Sequence, residues 1–112
     1  MKLYKQVIAE YDYEPYGSKA FLNTGVIYYN EAEYEDAIEA LNNSLDRVVD
    51  SRMIEEKASW FLANAHVNLN QLEEARKAAA ITYSLEGIYR KPAFLLLQKL
   101  NYDLGYSDIE EN

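Results

Sequence analysis

Apolar positions recur at spacings of three and four along most of the chain, the period of helices that each lay one face on a core. Phe21, Leu22, Gly25, Ile27, Tyr28 and Tyr29 make one broad stripe, and Tyr34, Ala37, Ile38, Leu41 and Leu45 make a second. Two antiparallel helices follow, joined by a polar turn of Asn30, Glu31, Ala32 and Glu33. Gly25 bears on how close they come. Glycine inside a helix costs about 1 kcal/mol relative to alanine, so its presence predicts a backbone pressed against a neighbour, with small Ala37 and Ala40 opposite. Glu33, Glu35 and Asp36 stand where the positive end of the second helix favours acids.

The same period extends in both directions. Leu3, Tyr4, Val7, Ile8 and Tyr11 fit a short amphipathic helix that ends by Pro15 and Gly17, and Ser18 then suits the N-cap of a helix opening at Lys19. The second helix of the opening pair can run to about Asp50. Asp50 or Ser51 caps a third, whose stripe is Met53, Ile54, Ala58, Phe61, Leu62, Ala65 and Leu69. Asn70 suits a left-handed turn. A fourth helix over residues 72–85 is closed by Glu86 and Gly87. A last one over residues 89–104 tolerates Pro92 in its first turn and stops at Gly105. The tail after it is a frayed end or the start of another helix. The expectation is an all-α domain of five to six helices.

Shifting the chain so that Ala37 falls on Ala75 also lays Glu35 and Asp36 on Glu73 and Glu74, Tyr34 on Leu72, Ala40 on Ala78, Gly25 on Ala63 and Tyr28 on His66. Both units are helix pairs, with small residues at the close-approach positions and large ones at the packing positions. On these residues the sequence resembles the tetratricopeptide repeat (TPR) family. The first unit carries that family's pattern as Phe21, Gly25, Tyr28, Tyr34, Ala37 and Leu41. The second carries Ala63, His66, Leu72 and Ala75, with Ala79 where a larger residue is expected and Trp60 one place late. The family period of about 34 residues is shorter than the step from Ala37 to Ala75, which implies a lengthened third helix. The proline that usually ends a unit is missing from both. The resemblance implies an α-α superhelix divided as an N-terminal cap segment (residues 1–17), a first repeat (18–50), a second (51–86), a closing helix (88–104) and a tail (105–112). The ending resembles, besides, repeat segments of bacterial envelope or regulatory proteins.

What the resemblance implies about function is a groove for a protein or peptide partner, lined by the first helix of each pair. Carried over, its positions are Lys19, Leu22, Val26 and Tyr29 in the first unit and Lys57, Trp60, Asn64, Val67 and Asn68 in the second. Tyr29, Lys57, Trp60, Asn64 and Asn68 are the expected contacts, since aromatic rings supply area and amides can pair with a peptide backbone; the alternative for Trp60 is that it packs under the first segment or the following helix. The family's clamp for a chaperone's terminal carboxylate is not expected. Asn64 alone matches it, while Leu22 and Val26 occupy places for a lysine and an asparagine, and Pro92 and Leu96 replace bases.

Composition narrows the picture. The 112 residues hold no cysteine, which removes disulfides, thiolate nucleophiles and sulfur-ligated metals. A net charge of −8 argues against a nucleic-acid partner. No apolar run approaches the roughly 20 residues that cross a bilayer, so no membrane insertion is expected. One histidine, His66, cannot assemble a catalytic triad or a histidine-rich zinc site and reads as a packing residue in an aromatic slot. Glu33, Glu35, Asp36 and Glu39 have the spacing of a solvated helix face, not of a calcium loop. The expectation is a non-enzyme without cofactors. Tyr4, Tyr11, Tyr13 and Tyr16, four of the eleven tyrosines, suit a cap over the first helix pair or, alternatively, a surface where a partner docks. The compartment stays open: cytoplasmic for a chain starting at Met1, extracytoplasmic for an excised domain. A homodimer through the apolar last helix or the tyrosine-rich first segment is the competing role.

Overall fold

The computed structural model describes residues 16–106; the expected first helix and the tail from Ser107 onward lie outside them. Five helices follow one another: α1 (Tyr16–Asn30), α2 (Tyr34–Arg47), α3 (Arg52–Asn68), α4 (Leu72–Ser84) and α5 (Arg90–Leu104). There is no strand among the described residues, and the fold is all-α. Each helix packs on the next, and α1 also touches α3. The pairs are antiparallel, as two hydroxyl contacts show. Ser44 Oγ, near the end of α2, donates to the carbonyl of Ser18 at the start of α1 at 2.8 Å. Ser59 Oγ in the first half of α3 lies 2.7 Å from Thr82 Oγ1 near the end of α4.

The turn that closes each pair is the same structure built twice. Ala32 and Asn70, at corresponding places in the two pairs, both take the left-handed conformation, at φ 61° and 59°. Glu33 N–H donates back to the Tyr28 carbonyl at 2.9 Å, and Gln71 N–H donates to the His66 carbonyl at 2.8 Å. These bonds satisfy carbonyls that a helix end otherwise leaves orphaned. The motif appears a third time after α5, where Gly105 takes φ 82° and Tyr106 N–H donates to the Asn101 carbonyl at 2.7 Å. Helix α5 therefore ends as α1 and α3 do.

Packing corrects several sequence expectations. The atoms nearest a Cβ added at Gly25 belong to Leu41, with Cγ and Cδ2 both at 2.6 Å; Leu41, rather than Ala37 or Ala40, lies over the glycine. Ser18 stands inside α1, not at its cap. Helix α2 stops at Arg47, where Val48 turns extended. Of the two candidate caps for α3, Ser51 serves, its Oγ accepting Ile54 N–H at 3.2 Å. Helix α3 is the longest at 17 residues. Met53 is 74 % exposed and does not belong to the α3 core stripe. Leu22, expected on the groove, is 5 % exposed and sits in the core beside Tyr28, Leu41, Leu62 and Leu97.

Candidate functional cleft

An open cleft of about 540 Å³ lies where α2 hands over to α3 and α4 to α5, lined by Arg52, Met53, Glu56, Lys57, Gly87, Ile88 and Tyr89. Its construction begins with the Ser51 cap, which fixes the first turn of α3 and leaves Met53 facing solvent. One turn later Glu56 is 5 % exposed, and its Oε2 accepts Tyr89 N–H at 2.9 Å. A side chain at position 87 would collide with the Glu56 carboxylate, so glycine lets the α4–α5 connection press onto α3. The sharp turn itself is made by Glu86, at φ 54°. With Glu56 holding the Tyr89 N–H, Ile88 is left 83 % exposed and lines the cleft together with Met53.

Tyr89 stacks on Trp60, the ring centroids 5.5 Å apart and the planes 16° from parallel. The cleft thus has an aromatic base, two exposed apolar side chains and two cations, Arg52 and Lys57. Neither cation makes an ion pair among the described residues. The neighbouring Arg90 lies over the Tyr83 ring instead, 5.1 Å from its centre.

The residues expected from sequence fall into three places. Lys57 lines the cleft and Trp60 backs it through Tyr89. Asn64 and Asn68 run on along α3, and each spends an amide N–H on its own helix: Asn64 Nδ2 donates to the Trp60 carbonyl and Asn68 Nδ2 to the Asn64 carbonyl, both at 2.9 Å. The side-chain oxygen and the second amide N–H of each are left to offer a partner. Tyr29 is a half-buried link, edge-on to Phe61 of α3 at 5.3 Å and to Tyr34 of α2 at 5.5 Å. Sequence reasoning missed Met53, Glu56, Ile88 and Tyr89 as parts of one site. Gly87 stood out in the sequence only as a helix stop; that it lacks a positive φ and marks a close approach to Glu56 is visible in the structure alone.

The opposite end of the molecule, at the turns after α1 and α3, is acidic. Lost hydration, then the charges of Asp36, Glu33, Glu39 and Glu31, push the Tyr28 hydroxyl above its ordinary range. Lost hydration, reinforced by Glu31 and Asp36, raises the Glu33 carboxyl. Glu73 is lowered, first by the Tyr106 hydroxyl that donates to it at 2.8 Å and then by Arg76. His66 is buried and its Nδ1 is hydrogen-bonded with Gln71 Oε1 at 2.7 Å. Among the described residues no three His, Asp or Glu side chains converge as a metal site, and no helix is long and apolar enough to cross a membrane. Compared with known proteins, the chain matches no family model, no curated protein and no solved structure.

Proposed function

We propose that this chain is a non-catalytic protein-interaction module of the TPR type, holding an extended or helical partner segment against α3 and the α4–α5 connection. The family reading is supported by the antiparallel pairs and by one turn structure returning at the matching place in the second pair. The cleft carries the binding reading. Met53 and Ile88, 74 % and 83 % exposed, both line a space of about 540 Å³, and apolar surface of that kind marks interaction sites. Lys57 supplies charge at its edge, Trp60 stiffens its base, and the oxygens of Asn64 and Asn68 continue the surface along α3. Tyr29 contributes by fixing α1 against α3. The test is selection of peptides on the full chain, with binding mapped by amide chemical shifts. Selected peptides should shift Lys57, Trp60 and Tyr89 and lose affinity about tenfold or more with Met53→Asp, the worth of one buried apolar side chain. Binders indifferent to both Met53→Asp and Trp60→Ala, or no binders at all, would sink the reading.

A second reading, side-by-side pairing through α5, has its own observation. Leu95 and Tyr102, seven residues apart on that helix, are 67 % and 81 % exposed. Leu97 is core and Leu96 packs against the core, so Leu95 is the side chain whose change to aspartate would break such a dimer while leaving the fold intact.

A further inference from the structure

The alternation of helices sorts the connections to opposite ends. The turns after α1, α3 and α5 share one end, and the α2–α3 and α4–α5 connections, with the cleft, share the other. The turn end gathers Glu31, Glu33, Glu35, Asp36, Glu73 and Glu74, and its cations Arg76 and Lys77 are already paired with Glu73 and Glu74. At the cleft end Arg52 and Lys57 have no such partner among the described residues. Directly after Tyr106, at the acidic end, the sequence runs Ser107, Asp108, Ile109, Glu110, Glu111: one apolar residue among three acids.

That segment has the chemistry the cleft lacks. It cannot supply it to its own cleft. Tyr106 is held at the start of α4, its hydroxyl on Glu73 and its ring 4.3 Å from the Arg76 guanidinium. The cleft lies past the far end of that helix, whose 13 residues span about 20 Å at 1.5 Å each. Ile109 is three residues beyond Tyr106, a reach of at most about 11 Å. An occupant from this segment must come from another molecule.

We propose that the cleft takes Ile109 and its flanking acids from a second copy of the chain, joining copies head to tail. The segment brings one apolar residue, Ile109, to a cleft lined by Met53 and Ile88, and acids to a cleft that holds Arg52 and Lys57. The inference rests on the cleft being a docking site and names the partner that fills it. Each copy offers one cleft and one segment, so the contact is heterologous and either closes into a ring or continues as an open chain.

Sedimentation of the full chain over a range of concentrations should show mass that rises with concentration and falls with added salt, because the ionic part of the contact is screened. Met53→Asp and Ile109→Asp should each weaken association about tenfold or more. The decisive sample is their mixture: one variant keeps the segment and the other keeps the cleft, so together they should form a one-to-one dimer and nothing larger. A synthetic peptide of residues 106–112 should dissolve the assemblies of the unaltered chain and shift the Met53 methyl resonance. A chain monomeric at every concentration overturns the inference, as does association that survives both variants or is lost instead with Leu95→Asp. A monomeric chain whose cleft still binds selected foreign peptides overturns only the self-pairing; one that binds neither removes the interaction reading as well.

Discussion

Gly25 and Leu41 show how two residues divide one volume. Leu41 is fully buried against the glycine, and in the second unit the same places are held by Ala63 and Ala79, both with no exposure. A large side chain on nothing becomes two methyl groups. Ala79, out of pattern when taken alone, is the expected partner of an alanine. Leu41→Ala should cost about 2–5 kcal/mol, the range for emptying a core leucine site. Gly25→Ala should also destabilise, by about 1–3 kcal/mol, since overpacking against Leu41 exceeds the helix-propensity gain. The double variant rebuilds the second unit's pair and should cost less than the sum of the two, a coupling that denaturant unfolding of all four proteins in a cycle would measure. Additive costs would mean that the backbones part to accommodate the methyl. The sequence revealed that Gly25 marks a contact but not with what, because Ala37, Ala40 and Leu41 all lie on the facing stripe and only packing selects among them.

Helix number, order and handover points were legible, because period and turn chemistry agree there: Ser51 caps α3, Asn70 turns left-handed, Pro92 opens α5 and Gly105 closes it. What escaped was the connection between elements. Glu86, not Gly87, takes the positive φ, and Glu56, on the face of α3 that a periodic reading leaves to apolar residues, is a buried acid whose partner is a backbone N–H 33 residues away. No pattern within one helix announces a bond to the start of another. Glu56, together with the Trp60–Tyr89 stack, ties the start of α5 to α3, and Glu56→Ala should therefore strand the Tyr89 N–H and cost about 1.5–3 kcal/mol, the range for a hydrogen bond to a charged group. Glu56→Gln keeps an acceptor and should recover much of that. Hydrogen exchange localises the effect: the Tyr89 amide should lose protection in the alanine variant while the Glu33 amide, at the other end, should not. Equal loss at both would show Glu56 to be general core rather than a strut between these elements. The candidate groove was half legible for the same reason, since Met53, Lys57 and Trp60 share one helix, whereas Ile88 and Tyr89 come from the α4–α5 connection and meet them only in three dimensions.

Among the described residues the turn end carries a cluster of acids with few cations, and that cluster sets how stability there responds to acid. Glu33 has its pKa raised in the fold. Below the unfolded value of about 4.3 it is protonated in both states and neutral in effect. As pH climbs through that value and its higher folded value, ionisation weighs against the native state, and the cost is complete above them. Glu73 is the reverse. Its pKa is lowered by Tyr106 and Arg76, so its contribution is present above the unfolded value and is lost as pH falls through the lower folded one. Glu33→Gln should therefore stabilise the chain near neutral pH and change nothing once the solution is acidic enough to protonate Glu33 in both states. Tyr106→Phe should destabilise near neutral pH, raise the Glu73 titration toward the ordinary carboxylate range, and converge with the unaltered chain in acid. Urea unfolding from strongly acidic to neutral pH, with carboxyl titrations followed by carbon-detected NMR, separates the two. An effect of Glu33→Gln that grows as pH falls would contradict the assignment of this end as a site of acid crowding, and with it the charge asymmetry on which head-to-tail pairing depends.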